Sequence, residues 1–326
     1  MRFSVIIPLY NKAPYVEKAL RSVAAQTFSD YELIVVDDGS KDDSATVAER
    51  VLNDCWLSLL KPQPLKLIRQ ANPGVSTARN NGVAASQGEY VCFLDADDWW
   101  KPTFLEEMAK LIAEFPDAGI YGTNYTIINE TKHKTRIAPV GIDKDFVKGY
   151  INYCQVYAQT LCMPLTSITV AIPRKVFDEM QGFKPHLKLG EDFNLWIRIA
   201  LRYKVVFLNK PLANYNQDVD VANRGTHHLY EPEQHEMWSL EELESFERTN
   251  VDYKRLVDKM RVQGLLSYFM SAQYHEAAVV ELKKVDWNQQ TGKNRRLYKC
   301  PIWYLKVRRK VRVIGSQIKM ALRSWL

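Results

Sequence analysis

The chain has 326 residues, of which 46% are hydrophobic and 25% charged, a composition typical of folded globular proteins. No stretch approaches the roughly 20 apolar residues of a membrane-spanning helix. Pro8 interrupts the short apolar run at the N-terminus, so we expect a cytoplasmic protein without a signal peptide. The five cysteines are scattered without metal-ligand spacing, and we expect them to be reduced thiols.

Strands and helices alternate over the first hundred residues. A buried strand is predicted at RFSVIIPL and further strands at YELIVVD, LKLIRQ and EYVCFLD, with helices at APYVEKALRSVAAQ, DDSATVAERVL and GVSTARNNGVAAS between them. This alternation predicts an α/β fold with a mostly parallel sheet and helices on both faces. Ligands of such sheets bind beyond the carboxyl ends of the strands. Asp37 and Asp38 follow one strand and Asp95 and Asp97 another, so we expect both pairs to face one crevice.

The pattern changes after residue 100. We predict a helix from about 102 to 114, a strand at GIYGTNYTIIN and a polar loop to about residue 144. A strand at TSITVAIP, a short helix at KVFDEMQGF, a strongly periodic helix at GEDFNLWIRIALRY and a strand at KVVFLN follow. Residues 233 to about 284 have a charged, helical pattern, which predicts a helical extension of the α/β domain.

The segment FLDADDWW places three carboxylates within four positions, after an apolar run and before two tryptophans. Hard cations such as Mg²⁺ or Mn²⁺ take oxygen ligands, often one or two carboxylates completed by substrate phosphates. Because alternate side chains of a strand share a direction, we expect Asp95 and Asp97 to converge and Asp98 to point elsewhere. The alternative interpretation is a solvated acidic turn.

Two further segments have an ordinary and a functional interpretation. VVDDGSKDD, with Asp38, is typical of a turn and helix cap, but it also places acids at a strand end. ANPGVSTARNNG is a loop entering a helix, with Arg79 inside it. A helix N-terminus with an arginine suits a phosphate, whereas a lone arginine more often forms an exposed salt bridge.

Glu191 and Asp192 begin the helix GEDFNLWIRIA. Acids in a first helical turn are commonly caps or partners of the helix dipole. The functional hypothesis is that Asp192 is a general base and that Trp196, one turn later, keeps its pocket partly dry. Burial would raise the pKa of Asp192 and the helix dipole would lower it, so the sequence leaves the sign of the shift open.

Taken together, VIIPLYN, QTFSDYELIVVDDGSKDDS, NPGVSTARNNGVAASQGEYVCFLDADD, GF and GEDFNLWIRIA resemble the family 2 glycosyltransferases, inverting enzymes with a GT-A fold. The resemblance covers roughly residues 3–210. It implies a nucleotide-sugar donor, most often a UDP-sugar, a Mg²⁺ or Mn²⁺ ion, and transfer of one sugar to a glycan or lipid-linked glycan acceptor.

The resemblance also implies roles for individual residues. Asp38 would contact the nucleotide base, near Pro8 and Tyr10, with Arg79 on the nucleotide side. Asp95 would contact the ribose or sugar and Asp97 the metal, with both carboxylates close to the cation. Asp192 would be the base, with Glu191 and Trp196 on the acceptor side.

We predict a GT-A domain over residues 1–230, with a nucleotide-binding half (1–100) and an acceptor half (101–230). A helical extension (231–286) and a basic amphipathic tail (287–326) follow. The tail holds 11 of the 44 basic residues and none of the 38 acidic ones, so the formal net charge of +6 originates there.

Residues 303–325, taken as a helix, have one apolar face and one basic face. The apolar face contains Trp303, Val307, Val311, Ile314, Ile318, Leu322 and Trp325. We predict that this helix lies on an anionic membrane at the inner, cytoplasmic leaflet. The alternative is a helix packed on the acidic surface of the protein, and Gly315 weakens either helix.

The N-terminal segment disfavours two other classes of nucleotide-binding enzyme. A sugar nucleotidyltransferase would have a Gly-rich, basic N-terminal loop, and a dinucleotide-binding oxidoreductase would have G-x-G-x-x-G after the first strand. The segment IIPLYNKAPY has neither. No nucleic-acid-binding motif accompanies the basic tail, so no nucleic acid partner is expected. A catalytically inactive module that binds nucleotide-sugars or glycans remains open, and the sequence identifies neither the sugar nor the acceptor.

Overall fold

The computed structural model describes residues 2–56, 64–71, 74–218, 228–309 and 311. Contacts divide the chain into two compact units, residues 1–252 and residues 253 onward, and the division falls within the predicted helical extension. No helix among the described residues is long and apolar enough to cross a bilayer.

The first unit contains an α/β sheet with its helices. The strands are β1 (Phe3–Leu9), β2 (Tyr31–Asp37), β3 (Leu65–Arg69), β4 (Tyr90–Phe93), β5 (Trp99–Trp100), β6 (Ala118–Asn129), β7 (Lys134–Ile137), β8 (Lys148–Ile151), β9 (Val170–Pro173) and β10 (Lys204–Asn216). The helices are α1 (Val16–Ala24), α2 (Ser44–Trp56), α3 (Val75–Ala84), α4 (Phe104–Glu114), α5 (Tyr153–Thr160), α6 (Arg174–Glu179), α7 (Glu191–Ala200) and α8 (Glu244–Thr249).

The described strands form one sheet in the order β3-β2-β1-β4-β9-β6-β10-β5, with β7 beside β6 and β8 beside β10. The pairs among β1 to β4 and the long β6–β10 pair are parallel, which confirms the mostly parallel α/β fold. Strand β9 is antiparallel to both β4 and β6 and joins the two parallel groups. The carboxyl ends of β1, β2 and β4 therefore lie side by side at one edge.

Burial explains why the first strands form the centre of this unit. All seven residues of β1 and of β2 are buried, as expected for parallel strands covered on both faces. Helix α1 buries one apolar stripe, whereas α3 lies so close to β1 that a Cβ on Gly82 would collide with Ile6. The start of α3 lies next to the end of β2, where the N–H of Gly74 donates to the Asp38 carboxylate.

The sequence patterns missed several short elements. The predicted polar loop before residue 144 contains β7, which pairs with β6, and β5, β8 and α5 were not predicted. The strand predicted at TSITVAIP is shorter, because Ser167–Thr169 form a 3₁₀ turn before β9. Short edge strands carry little periodicity of their own, since pairing with a longer neighbour stabilises them.

The second unit is helical. Its elements are α9, which begins at the boundary (Val251–Gly264), α10 (Leu266–Phe269), α11 (His275–Leu282) and α12 (Gly292–Leu297), followed by a helix over residues 302–309. Its core contains buried apolar side chains from α9 and α10, and Arg261 is buried beside Glu281. Residues 310 and 312–326, which include most of the predicted membrane-binding face, lie outside the described residues.

Candidate active site

Asp38 lies directly after β2 with its carboxylate held on both oxygens. The side chain is 6% exposed, Gln70 Nε2 donates to its Oδ1 at 2.6 Å, and the backbone N–H of Gly74 donates to its Oδ2. These donors come from the end of β3 and from the residue before α3. The carboxylate is thus fixed in the crevice between these elements, where the sequence predicted a nucleotide contact.

The loop after β1 is fixed by the loop after β2. Pro8 is buried within β1, whereas Tyr10 is 45% exposed. Asn11 has a left-handed backbone (φ 51°), its N–H donates to Ser40 Oγ at 3.1 Å, and its side-chain oxygen accepts from the Lys41 N–H at 2.8 Å. The exposed Tyr10 ring therefore lies at the edge of the crevice, on a loop that these hydrogen bonds hold in place.

The acidic segment after β4 forms a turn, in which the N–H of Asp98 donates to the Asp95 carbonyl oxygen at 3.0 Å. The expectation that these residues alternate as in a strand was therefore wrong, and Asp98 has a hydrogen-bond partner of its own. Its carboxylate is buried and accepts the Asn216 N–H at 2.7 Å. Burial, together with the charges of Asp97 and Asp95, raises the pKa of Asp98 well above its usual value.

Two cations neutralise the remaining acids of this turn. Lys12 Nζ lies 2.7 Å from Asp97 Oδ2, and an Arg79 terminal nitrogen (Nη2) lies 2.7 Å from Asp95 Oδ1. The sequence analysis did not identify Lys12. Lys12 lies in the turn after β1, and β1 is the neighbour of β4 in the sheet. Once this strand order is known, the position of Lys12 in the sequence predicts that it lies close to the acids that follow β4. The crowded carboxylates are thus stabilised by basic side chains from the loop after β1 and from α3.

Arg79 connects the two halves of the site. Its side chain is only 4% exposed, and its second terminal nitrogen (Nη1) contacts Glu191 Oε1 at 3.0 Å. Burial opposes its charge, but the carboxylates of Asp95 and Glu191 outweigh burial and raise the pKa of Arg79. Arg79 thus forms a buried ion-pair centre rather than the exposed salt bridge of the ordinary interpretation. This contact ties Glu191, which the sequence assigned to the acceptor side, to Arg79, which the sequence assigned to the nucleotide side.

Asp192 stands beside this centre in the first turn of α7. Its Oδ1 accepts the N–H of Phe193 at 2.7 Å. Burial and the neighbouring Glu191 charge raise the pKa of Asp192 to about 7, against the opposing effect of Arg79. The structure therefore resolves the sign that the sequence left open. A carboxylate that titrates near neutrality suits proton transfer at physiological pH.

Trp196 is a core residue in the structure. It is fully buried, and its ring lies 5.8 Å from that of Phe183, so it does not present an acceptor-facing surface. The aromatic residues near Asp192 are instead Tyr153 and Tyr157 of α5, which interact electrostatically with it. The sequence missed both, because α5 itself was not predicted.

The residues present fit a hard divalent cation held by few protein ligands. No group of three or more His, Cys, Asp or Glu side chains in the described part of the chain converges as a metal cage. One carboxylate oxygen of Asp97 already forms an ion pair with the Lys12 ammonium group, so the surroundings of Asp97 favour a positive charge. Two carboxylates completed by a diphosphate are a common arrangement for Mg²⁺.

A mostly parallel sheet with acidic side chains at its carboxyl edge defines an α/β protein whose ligand site lies in the crevice beyond the strand ends. Residues 4–179 match the sequence model of the family described as glycosyl transferase family 2, and the chain belongs to that family. It is 34% identical over 217 residues to an uncharacterised glycosyltransferase of Nostoc sp., covering 64% of this chain and 61% of that protein. Glycosyltransferase GlyA of Streptococcus pneumoniae is 31% identical over 221 residues, 66% of this chain and 30% of its own length. These matches thus span less than two thirds of the relatives' length.

Solved structures share the fold at low sequence identity. Residues 1–349 of TarS from S. aureus, in complex with UDP-GlcNAc, superpose with a TM-score of 0.70 at 19% identity, covering 86% of this chain and 80% of that one. The mannosyltransferase PcManGT from Pyrobaculum calidifontis, in complex with GDP-Man and Mn²⁺, gives a TM-score of 0.50 at 17% identity, with 89% and 88% covered. These likenesses support the GT-A fold.

Proposed function

We propose that the protein is an inverting glycosyltransferase that moves one sugar from a nucleotide-sugar to a glycan or lipid-linked glycan acceptor. The observation that carries this proposal is the Arg79 ion-pair centre, which joins the acidic turn after β4 to the start of α7. This centre brings the acidic turn and Asp192, whose carboxyl group has a raised pKa, into one crevice. Family membership and the UDP-GlcNAc complex of TarS add support, with a UDP-sugar as the proposed donor.

In this proposal the donor nucleotide lies at the carboxyl ends of β1 and β2. Asp38, held by Gln70 and Gly74, accepts hydrogen bonds from the base, and the exposed Tyr10 ring packs against it. Pro8, buried in β1, shapes the floor below. Asp95 and Asp97 would hold a divalent cation. When bound, Mg²⁺ or Mn²⁺ offsets the charge that builds on the leaving diphosphate.

Asp192 takes the proton of the attacking acceptor hydroxyl in this proposal. The oxygen attacks the anomeric carbon from the face opposite the leaving group, which inverts its configuration. Arg79 holds Glu191 and Asp95 in place, so that base and donor site keep their relative positions. Residues held by fixed partners reach a productive geometry without reorganisation.

A donor screen tests the proposal. Purified protein would be titrated with UDP- and GDP-sugars in the presence of Mn²⁺, with binding followed by calorimetry and sugar release measured without acceptor. We expect one nucleotide class to bind and slow hydrolysis of that donor. Binding without any hydrolysis or transfer would favour the inactive module, and no binding of any nucleotide-sugar would contradict the donor site.

Asp97→Ala should abolish the metal dependence of nucleotide binding. In the wild-type chain we expect Mn²⁺ to raise UDP affinity by about tenfold or more, equivalent to about 1.4 kcal/mol. Asp98→Asn is the matched control, because Asn can still accept the Asn216 N–H that the buried Asp98 receives. Calorimetric titration of UDP with and without Mn²⁺ measures both. Equal losses in the two variants would show that Asp97 has no special role.

We also propose that the C-terminal helix docks on an anionic membrane. Within the described part of this helix, Trp303 is 68% exposed, Val307 51%, and Val311, beyond residue 310, 62%. Leu305, about 200° around the helix from Trp303, is buried. The face predicted to meet lipid is thus the face left uncovered, and the surrounding segment has basic but no acidic residues. This location suits a lipid-linked acceptor.

Replacing Trp303 and Val307 together by Gln should lower binding to anionic vesicles at least tenfold, because two large apolar side chains leave the interface. Val280→Gln is the control, since Val280 is also exposed (56%) in the second unit but lies on α11. Co-sedimentation with anionic and neutral vesicles at low salt measures the effect. Equal sedimentation of wild type and the double variant would contradict this docking face.

A further inference from the structure

The start of α7 is paired with a segment from much later in the chain. The N–H of Lys188 donates to the Gln234 carbonyl at 2.8 Å, and the N–H of Glu236 donates to the Leu189 carbonyl at 3.1 Å. Leu189 and His235 form a parallel β-bridge between these hydrogen bonds. Residues 188–190, which lead into α7, are thus held by residues 234–236. The pairing places Glu236 next to the turn that carries Glu191 and Asp192.

Glu236 fills a space that exists because residue 190 is glycine. Gly190 has a left-handed backbone (φ 80°), and a Cβ there would overlap the carboxyl group of Glu236. The Glu236 carboxyl group therefore lies directly against the backbone of the residue before α7. Any movement of this side chain acts on the start of the helix.

The Glu236 carboxyl group is buried and incompletely paired. The residue is 7% exposed, and its Oε2 has no hydrogen-bond partner among the described residues. Among the residues that the structure describes, the ionisable groups that interact with it are Asp192, Glu191, Tyr153 and Tyr157, none of them cationic. The adjacent His235 ring supplies no positive charge near neutral pH, since burial lowers its pKa to about 4 and its Nδ1 accepts the Met237 N–H.

These surroundings favour the neutral acid. Burial, and then the charges of Asp192 and Glu191, raise the pKa of Glu236 well above its usual value. A neutral carboxylic acid carries an O–H that can donate a hydrogen bond, whereas a carboxylate would add a third negative charge beside Glu191 and Asp192. An apolar side chain would fill this space without an unpaired oxygen, so packing alone does not explain an acid here.

We infer that Glu236 is a positioning residue for Asp192: the Glu236 carboxyl group packs on Gly190 and holds the first turn of α7 in its reactive arrangement. The inference rests on the proposed role of Asp192 as the base. Ionisation of Glu236 would place uncompensated charge against this turn and move Asp192 away from the acceptor hydroxyl. Activity should therefore fall as the pH rises through the pKa of Glu236.

Two substitutions separate the neutral acid from mere bulk. Glu236→Gln keeps the shape and a hydrogen-bond donor but cannot ionise, so kcat at pH 7 should stay close to wild type and the alkaline fall in kcat should disappear. Glu236→Ala should lower kcat by between about 10- and 100-fold, the usual cost of a misplaced catalytic group, with the donor KM and UDP affinity unchanged. Glu233→Gln, an exposed acid in the preceding turn, is the control and should match wild type.

The inference is overturned if Glu236→Ala keeps the wild-type kcat, or if Glu236→Gln retains the wild-type alkaline limb. Gly190→Ala adds an independent check, because its new methyl group should displace the Glu236 side chain. Its effect on kcat should then be smaller in the Glu236→Ala background than alone. Asp192→Asn separates the proposed role of Asp192 from that of Glu236. Wild-type transfer by Asp192→Asn would contradict the role of Asp192 as the base. Impaired transfer there, with Glu236 variants that behave like the control, contradicts only the role of Glu236.

Discussion

Replacing Asp192 by Asn should lower turnover by roughly two to four orders of magnitude, the usual contribution of a positioned general base. Asn has the shape of Asp and can still accept the Phe193 N–H, but it cannot take the acceptor proton. UDP affinity, measured by calorimetry, should remain unchanged. Single-turnover transfer from the donor identified by the screen measures the rate.

The pH dependence gives a second readout of the same residue. Because burial and Glu191 raise the pKa of Asp192 to about 7, the residue is protonated and inactive as a base below that pH. The turnover of the wild type should therefore rise with pH through about 7. Asp145→Asn, which removes an exposed acid, is the control and should leave rate and profile unchanged. Wild-type turnover by Asp192→Asn would contradict the assignment.

Replacing Arg79 by Gln should lower the free energy of unfolding by about 3–5 kcal/mol, the usual cost of breaking a buried ion pair from one side. The guanidinium is 4% exposed and contacts Asp95 and Glu191, so its removal leaves two neighbouring carboxylates without their cation. Urea unfolding followed by circular dichroism measures the loss. The midpoint should fall while the slope with urea stays the same.

Arg50→Gln provides the matched control for this substitution. Arg50 contacts Glu17 at 3.0 Å, but both side chains are well exposed, at 60% and 41%. Exposed ion pairs contribute only about 0–1 kcal/mol, so this variant should unfold close to wild type. A similar small effect of both substitutions would mean that the Arg79 centre does not stabilise the fold.

The alternation of strands and helices over the first hundred residues was determined by the sequence alone. The buried strands β1 and β2 are mostly apolar, helix α1 has its own apolar stripe, and this local pattern specifies element type without distant contacts. Parallel strands then have their carboxyl ends at one edge, which placed Asp38, Asp95 and Asp97 together. Its place in the first turn of a helix, together with the family motifs, made Asp192 a candidate base. The roles of these residues remain predictions.

The tertiary structure decided what depends on neighbours distant in the chain. Lys12 pairs with Asp97 across 85 positions, and Arg79 with Glu191 across 112. The pairing of residues 188–190 with 234–236 placed Glu236, which the sequence assigned to a helical extension, beside the start of α7. Burial, set by packing in three dimensions, moved Trp196 into the core and decided that the pKa of Asp192 rises. Desolvation and ion pairing depend on which groups the fold brings together, and no local pattern in the sequence encodes that.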